Sequence, residues 1–282
     1  MAEIPQKETA AIRKVARCNR GEISARGIAG GTTPRSGASS AWASAFRMAG
    51  MFWVFVEAGQ VGAGGIRIAG PQGHHLARVL RVRPGEEGVA VADGTEYRLE
   101  VTDVAGSIVT GRVLEERPIG GEPAVGVVLL QAILPNPDFD AVIEAGTAVG
   151  IARFIAVEAA RSVARPPAAR RTRWQLIAGS AAEQSHRGRV PEVLGPMSLA
   201  AALEEVAGAR LLVLEPRASM PFTAAIDASR AYALAVGPEG GWTEPELSLL
   251  RERGGVMVNL GPRILRARLA PVVAAAILVQ QS

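Results

Sequence analysis

The chain has few of the residues that carry metal and disulfide chemistry. Its 282 residues include one cysteine, Cys18, and three histidines, His74, His75 and His186. A single cysteine excludes an intrachain disulfide, and these four residues do not follow the spacing of a metal site, so we expect no bound metal. Residues 51–282 contain no cysteine. Chemistry that depends on a cysteine nucleophile is therefore excluded from this part of the chain.

Lysine is also scarce, and arginine carries most of the positive charge. Lys7 and Lys14 are the two lysines of the chain. Residues 1–50 contain eight Lys and Arg against three Asp and Glu, which leaves 23 against 24 in residues 51–282. Nucleic-acid binding by residues 51–282 would therefore need a local patch of arginines.

Long apolar runs are missing. The longest covers residues 269–279 and is interrupted by Pro271, so it is too short to span a bilayer. We expect a cytoplasmic protein with no membrane partner. Residues 1–50 lack periodicity and predict a disordered extension, with Met51 as the candidate initiator. A targeting peptide is the alternative, although no apolar segment precedes a small-residue cleavage site.

The pattern of the remaining residues predicts two domains. Residues 51–118 have the short strands of a small β-barrel (51–57, 66–69, 87–92, 96–104 and 107–115) around one helix at 72–82, with Asp93-Gly94 as a hairpin turn. After a linker at 117–123, residues 123–282 alternate between strands (125–132, 153–158, 210–215, 231–236 and 256–260) and helices (138–149, 171–185, 198–207, 243–253 and 263–279). This alternation predicts a mostly parallel sheet covered on both faces. Loops at 214–216, 236–241 and 260–263 follow three strand ends, where open parallel sheets bind ligands.

The most informative segment is Leu234-Ala-Val-Gly-Pro-Glu-Gly-Gly-Trp-Thr-Glu-Pro-Glu246, in which an apolar strand enters a glycine-rich elbow and then a helix. Thr243 and Glu246 have the spacing of a capping box. The elbow has neither of the common phosphate-binding glycine patterns, and the charge of Glu239 would repel a pyrophosphate. A cationic ligand held through an adenosine moiety, such as S-adenosylmethionine, fits better, and Gly240→Val should then abolish binding. An ordinary strand-to-helix turn is the alternative.

Arginines cluster in three places. The predicted barrel helix carries His75, Arg78 and Arg81, with Leu76, Val79 and Leu80 available for the core. Arg161 and Arg173 belong to a second group, for which we expect phosphate contacts. Trp174 lies beside Arg173 in the sequence, and we expect it to pack in the core. Arg263 and Arg266 lie near the predicted start of the last helix, where an anionic partner would offset the helix dipole. For the first and third groups a solvated face is the alternative, and the same holds for Glu183 near the end of another helix.

These residues together resemble the family of 16S ribosomal RNA (uracil-N3)-methyltransferases, SPOUT-class enzymes with a PUA-like N-terminal barrel. The resemblance runs from Met51 to about Val279. Its motifs, in order, are His74-His75 with Arg78-Val-Leu-Arg81, Arg161-Ser162, Arg173-Trp-Gln175, Ala182-Glu-Gln-Ser185, Arg189-Val-Pro191, Gly237-Pro-Glu-Gly-Gly241 and Leu260-Gly-Pro-Arg-Ile-Leu-Arg266.

The resemblance implies an α/β fold, with a trefoil-knotted SPOUT domain after a small PUA-like RNA-binding β-barrel. It implies S-adenosylmethionine bound in the knot, an obligate homodimer, and methylation of N3 of one uridine in 16S rRNA of the small ribosomal subunit. From the arginine clusters themselves we expect RNA contacts at His75, Arg78, Arg81, Arg161 and Arg173. For the methyl transfer we expect Arg266 to stabilise charge on the uracil carbonyls and Glu183 to act as a base or orienting group. The implied cofactor residues are Leu214, Glu215, Gly237, Pro238, Glu239, Gly240, Gly241, Leu260, Gly261, Ile264, Leu265 and Arg266.

The chain departs from the family pattern in three places, one of which is Glu144-Ala145…Thr147-Ala148-Val149-Gly150 where the family reads Q-K…T-E-L-G. Where the family usually reads L-K-G-D-K-M-D, this chain has Leu134-Pro-Asn-Pro-Asp-Phe-Asp140, so that Pro135 and Asp138 replace a basic pair. Where the family continues T-E-T-A, this chain has Ala267-Arg268-Leu269-Ala270. The lost basic residues favour a catalytically weak RNA-binding or assembly paralogue as an alternative. A SPOUT enzyme acting on tRNA ribose is a third possibility, which the fused barrel disfavours.

Overall fold

The computed structural model describes residues 51–164 and 170–280, which divide into two compact units between Gly120 and Gly121. The expectation for residues 1–50 lies outside the described residues. No helix in the described ranges combines the length and the apolar character needed to cross a membrane.

The first unit is built on one six-stranded sheet. Its strands are β1 (Phe52–Phe55), β2 (Val61–Gly62), β3 (Gly65–Ile68), β4 (Glu87–Ala92), β5 (Thr95–Ala105) and β6 (Ile108–Pro118). Their spatial order is β1-β4-β5-β6-β3-β2, and all pairs are antiparallel except β1 with β4. Asp93 and Gly94 both have positive φ in the predicted hairpin turn. Strands β1, β3, β4, β5 and β6 supply buried side chains to one apolar core.

The helix of this unit differs from the regular helix that the sequence predicts. It consists of α1 (Gly70–His74) followed by a π-helical turn over His75–Leu80. Leu76 is buried, but Val79 and Leu80 are 61% and 51% exposed, so the expectation that all three enter the core is wrong. A π-helical turn holds more residues than an α-helical one, and the 3.6-residue period therefore assigns the wrong face.

The second unit has the predicted parallel sheet. Its strands are β7 (Gly126–Ala132), β8 (Arg153–Glu158), β9 (Glu192–Ser198), β10 (Arg210–Leu214), β11 (Ala231–Val236) and β12 (Val256–Val258). The spatial order is β12-β10-β11-β7-β8-β9, and every pair is parallel. All carboxyl ends of the strands therefore meet at one edge of the sheet.

Helices cover both faces of this sheet, as predicted. They are α2 (Asp138–Val149), α3 (Arg170–Gln184), α4 (Leu199–Glu204), α5 (Glu244–Glu252) and α6 (Ala270–Gln280). Helices α2, α3 and α6 share one apolar cluster with the sheet, and α4 and α5 share the other. Trp174 packs against Phe139 with ring centroids 4.5 Å apart, which confirms its role in the core.

Two elements of the second unit differ from the sequence-based prediction. Strand β9 was missed because Gly195-Pro196 interrupts it, and proline is tolerated in a sheet at an edge such as this one. Helix α6 begins at Ala270 and not at 263, so Arg263 and Arg266 lie in a loop before the helix. Pro271 lies in the first turn of α6, the position that the sequence-based prediction gave to Pro262.

A buried ion pair joins the start of the second unit to the end of α3. Arg187 is 6% exposed, and its Nε and Nη2 donate to the two carboxylate oxygens of Glu122 at 3.1 and 2.6 Å. Its Nη1 donates to the carbonyl oxygens of Ile151 and Thr147, at the end of α2. One guanidinium therefore joins the end of α2, the end of α3 and the segment before β7.

The amino edge of the sheet, opposite the strands' carboxyl ends, has its own polar cluster. The hydroxyl of buried Tyr232, on β11, donates to the Asp227 carbonyl oxygen at 2.8 Å. Hydrogen bonds from Ser229 hold the pKa of Asp227 below its ordinary value, and burial raises the pKa of Tyr232. These groups stabilise the turn into β11 and lie outside the site described next.

Candidate functional site: a cavity at the carboxyl edge of the sheet

Three loops that follow β10, β11 and β12 enclose a cavity of about 390 Å³. The sequence predicts this convergence, because the carboxyl ends of parallel strands meet at one edge. The volume lies in the range of small-molecule sites. The lining residues are Asp138, Leu214, Glu215, Pro216, Val236, Gly237, Pro238, Glu239, Gly241, Trp242, Val258, Asn259, Leu260, Gly261, Arg263, Ile264, Leu265, Arg266, Ala267, Arg268 and Ala270.

Asn259 joins the first loop to the third. Its side-chain amide donates to the carbonyl oxygens of Ala218 and Met220 at 2.9 and 3.1 Å. Its side-chain oxygen accepts from the Gly261 N–H at 2.9 Å. The backbone of Asn259 also exchanges hydrogen bonds with Met220 and Phe222. One side chain thus fixes the spacing of two cavity walls.

The second loop is the glycine elbow predicted from the sequence. Gly241 has a φ of +69°, in the left-handed region that favours glycine. A Cβ atom on Gly237 would lie 3.2 Å from the backbone nitrogen of Trp242, so the elbow folds tightly back on itself. Helix α5 then begins after Thr243, whose N–H and hydroxyl both donate to Glu246 at 2.8 Å. This is the return contact of the predicted capping box.

The loop after β8 supports the elbow from outside. Arg161 donates from Nη1 to the carbonyl oxygens of Gly240 and Trp242 at 2.8 and 3.3 Å. The Ala160 N–H donates to the second carboxylate oxygen of Glu246 at 2.8 Å. Hydrogen bonds from the loop after β8 therefore stabilise the elbow both directly and through the start of α5.

The third loop, residues 260–269, follows the end of β12 and leads into α6. Gly261 has a φ of +94° at its first bend. Arg263 and Arg266 line the cavity, and their guanidinium groups have no hydrogen-bond or ion-pair partner within residues 51–164 and 170–280. Two unpaired guanidinium groups make this wall attractive to a carboxylate or a phosphate.

Of the twelve residues predicted to bind the cofactor, eleven line this cavity. The exception is Gly240, which is exposed and faces the side chain of Arg161; a Cβ atom on Gly240 would lie 3.4 Å from the Arg161 Cδ. The sequence-based set omitted ten residues that the structure adds to the walls: Asp138, Pro216, Val236, Trp242, Val258, Asn259, Arg263, Ala267, Arg268 and Ala270. Asn259 could have been predicted from the sequence, because it is a polar residue at the end of a strand that leads into a predicted ligand-binding loop.

The other predicted site residues of the second unit lie elsewhere. Glu183 is half-buried near the end of α3 and is not among the residues that line the cavity. Arg173 is exposed, and its Nε and Nη2 donate to Asp140 at 3.0 and 2.9 Å. Arg161 contacts the elbow, as described above. Of the two predicted catalytic residues, the structure brings Arg266 alone to the cavity.

In the first unit, the predicted RNA-contact residues share one exposed segment. His75, Arg78 and Arg81 are all exposed, and Arg81 ends the π-helical turn with a φ of +57°. The apolar side chains of Val79 and Leu80 are exposed in the same turn. The turn therefore presents guanidinium groups next to apolar surface, a combination found in RNA-binding sites.

Metal ligands do not cluster in the described parts of the chain. No group of three or more His, Cys, Asp or Glu side chains within them could hold an ion.

Comparison with known proteins gives matches over both units. An RNA methyltransferase domain model matches residues 121–279, more than half of the chain, and an RNA methyltransferase PUA domain model matches residues 68–114. Ribosomal RNA small subunit methyltransferase E of Mycobacterium bovis is 38% identical over 223 residues, which cover 73% of this chain and 83% of that protein. The protein of the same name from Synechocystis is 36% identical over 72% of this chain and 69% of its own length.

A solved structure has the same fold. Ribosomal RNA small subunit methyltransferase E from Neisseria gonorrhoeae, crystallised with S-adenosyl methionine, superposes with a TM-score of 0.74 at 29% identity. The match covers 82% of this chain and 98% of that one.

Proposed function

Because the chain belongs to the family of ribosomal RNA small subunit methyltransferases E, we propose that it transfers a methyl group from S-adenosylmethionine to N3 of one uridine in 16S rRNA. The observation that carries this proposal is the cavity at the carboxyl edge of the parallel sheet, where three loops converge. The same segments supply the motifs of the resemblance. Fold and site thus support one activity.

The residues at the cavity fit the cofactor. Leu214, Val236 and Leu265 offer apolar contacts for an adenine ring, and the three loops offer backbone N–H and C=O groups. Glu215 and Glu239 can accept hydrogen bonds from hydroxyl or ammonium groups, and an arginine of the third loop can pair with the methionyl carboxylate. We assign the twelve predicted cofactor residues this role, with Gly240 acting through the shape of the elbow.

Arg266 is the residue of this chain that we assign to catalysis. The bound cofactor supplies an activated methyl group on a sulfonium. Loss of the N3 proton would leave a uracil anion whose negative charge is shared by the carbonyl oxygens. N3 would then take the methyl group as the bond from that group to sulfur breaks, which leaves both products without these charges. The unpaired guanidinium of Arg266 can stabilise that charge at the cavity wall. Glu183 does not line this cavity, so we assign the N3 proton to solvent and do not place Glu183 at the reacting atoms.

We assign RNA binding to the first unit, residues 51–118, through His75, Arg78 and Arg81. Arginine and histidine side chains that are exposed and adjacent can contact successive phosphates. Arg161 and Arg173 serve the second unit, residues 123–282. Arg161 holds the elbow, while Arg173 keeps Nη1 free of any described partner and available to a phosphate.

The trefoil knot, the homodimer and a cytoplasmic location belong to the same proposal. Asn259 fastens the loop after β10 to the chain just before residues 260–269, which supports a threaded arrangement. Ile264 and Leu269 are 86% and 48% exposed beside the cavity, which supports a second copy covering them.

Mass spectrometry of small-subunit rRNA tests the activity. A strain that lacks the gene should lose N3-methyluridine from 16S rRNA, and unchanged modification would refute the proposal. Purified protein should methylate small subunits and not tRNA. Ribosome association without turnover would instead identify the weak paralogue that the lost basic residues suggest.

A further inference from the structure

Two of the departures from the family pattern, at positions 138 and 268, meet in one ion pair. Arg268 Nη1 lies 2.8 Å from Asp138 Oδ1, although 130 residues separate them in the chain. Asp138 is the first residue of α2, and Arg268 belongs to the loop at residues 260–269. Both residues line the cavity. The pair therefore joins the third loop to a helix that contributes one other wall of the site.

This contact has no substitute in the third loop. Among the described residues, the Arg268–Asp138 bond is the side-chain hydrogen bond that ties residues 262–269 to another element. The backbone bonds of Leu269 and Ala270 go to the carbonyl oxygen of Arg266, within the same loop. Leu265 and Ala267 also pack against the apolar cluster to which α2 contributes, so the ion pair is the polar part of this attachment.

The polarity of the pair is reversed relative to the family pattern. That pattern places a basic residue at position 138 and an acidic residue at position 268, whereas this chain has the opposite charges. An acidic side chain at the start of α2 is also favoured by the helix dipole. The two departures therefore compensate each other and do not weaken the site independently.

We propose that Asp138 and Arg268 form a positioning pair, which holds residues 262–269 in the shape that binds S-adenosylmethionine. This inference rests on the proposed function. The Asp138 and Arg268 side chains are 27% and 47% exposed, so the pair contributes little to global stability. Its effect is local, on the loop that supplies eight of the 21 residues lining the cavity.

The test is a charge-swap cycle measured by calorimetry. Arg268→Glu and Asp138→Lys each place like charges together and should weaken S-adenosylmethionine binding on the order of tenfold. The double variant Asp138→Lys, Arg268→Glu restores an ion pair and should return affinity to within about threefold of wild type. S-adenosylhomocysteine, which lacks the methyl group and its charge, should lose and regain affinity by the same factors.

A second ion pair provides the matched control. Glu204 and Arg253 also join two elements through exposed side chains, and neither lines the cavity. Glu204→Lys and Arg253→Glu should leave both affinities unchanged. Thermal unfolding of every variant should stay close to that of wild type, which separates a shifted loop from a loss of folding.

The outcomes distinguish this inference from the proposed function. If wild type fails to bind S-adenosylmethionine, the proposed function is wrong. If wild type binds but the double variant stays as weak as the single ones, the positioning role is refuted. The positioning role is also refuted if the variants change the affinity for S-adenosylmethionine but not that for S-adenosylhomocysteine. The charges would then act on the sulfonium and not on the loop.

Discussion

Arg161 donates a 2.8 Å hydrogen bond to the carbonyl oxygen of Gly240, so the loop after β8 holds the apex of the glycine elbow. The sequence predicts an RNA contact for this arginine. Its guanidinium also reaches the Trp242 carbonyl oxygen, so one side chain fixes both sides of Gly241. A residue expected to touch the substrate thus supports the cofactor loop.

Arg161→Ala should weaken S-adenosylmethionine binding by about tenfold, because hydrogen bonds to a charged group are stronger than neutral ones and the elbow loses two. Arg161→Lys should not restore binding, since the two N–H groups of Nη1 are held in a rigid guanidinium plane and an ammonium lacks that fixed geometry. Isothermal calorimetry measures both. Arg171→Ala is the control, because Arg171 is exposed and does not line the cavity. Equal losses in the two alanine variants would mean that net charge, and not the elbow contact, governs affinity.

The glycines of the elbow should differ sharply in their tolerance of substitution. Gly237→Val should abolish detectable S-adenosylmethionine binding, because a Cβ there would already lie 3.2 Å from the Trp242 nitrogen. Gly240→Ala should reduce affinity less than about threefold, since the nearest atom to its Cβ would be 3.4 Å away and belongs to a flexible arginine. Binding titrations on folded variants decide between them. A Gly240→Ala variant that loses all binding would place this residue at the ligand after all.

Local patterns predicted most of the second unit. Strands 153–158 and 231–236 and helix 138–149 were predicted to the residue, because their apolar periodicity is uninterrupted. The failures arose where tertiary contacts outweigh local preference. Strand β9 contains Gly195-Pro196, and residues 263–268 line a cavity although their sequence alone would permit a helix.

The candidate site was predictable to the same extent. Its glycine elbow and the loop ends follow from chain order and from the geometry of parallel sheets. The sequence does not predict the contacts of Asp138 with Arg268 and of Arg161 with Gly240. Each contact joins residues far apart in the chain, and their pairing depends on how the loops fold.

Arg266→Ala should lower the single-turnover rate of methylation by about 100-fold, in the range seen when a charge-stabilising donor is removed. Rapid-quench assays with saturating RNA and cofactor measure this rate. Arg263→Ala is the matched control, because Arg263 lines the same cavity without a described partner and is expected to change the KM for RNA more than the rate. An Arg266→Ala enzyme with a normal single-turnover rate would remove this residue from the proposed mechanism.

Asp227 should make stability depend on pH in the acid range. Its folded pKa lies below the ordinary value of 3.8, chiefly because it accepts hydrogen bonds from Ser229. A lowered folded pKa contributes stability above the unfolded value, and this contribution is lost as pH falls through the folded pKa. The difference in unfolding free energy between wild type and Asp227→Asn should thus be constant near pH 7 and shrink below about pH 4. Urea titrations across this range would contradict the assignment if the difference did not change.

Arg187→Ala should destabilise the second unit by about 2–3 kcal/mol, because the Glu122 carboxylate, 14% exposed, loses its nearer arginine and keeps, among the described residues, only Arg189 and the Gly188 N–H. The Ile151 carbonyl oxygen, which accepts from Arg187 at 2.6 Å, also loses its donor. Urea unfolding followed by tryptophan fluorescence measures the loss. Arg251→Ala removes an exposed pair with Glu244 and should cost less than about 1 kcal/mol. The double variant Glu122→Gln, Arg187→Met should recover part of the lost unfolding free energy, because it removes both charges of the pair. A double variant no more stable than Arg187→Ala would show that the backbone contacts at Thr147 and Ile151 dominate.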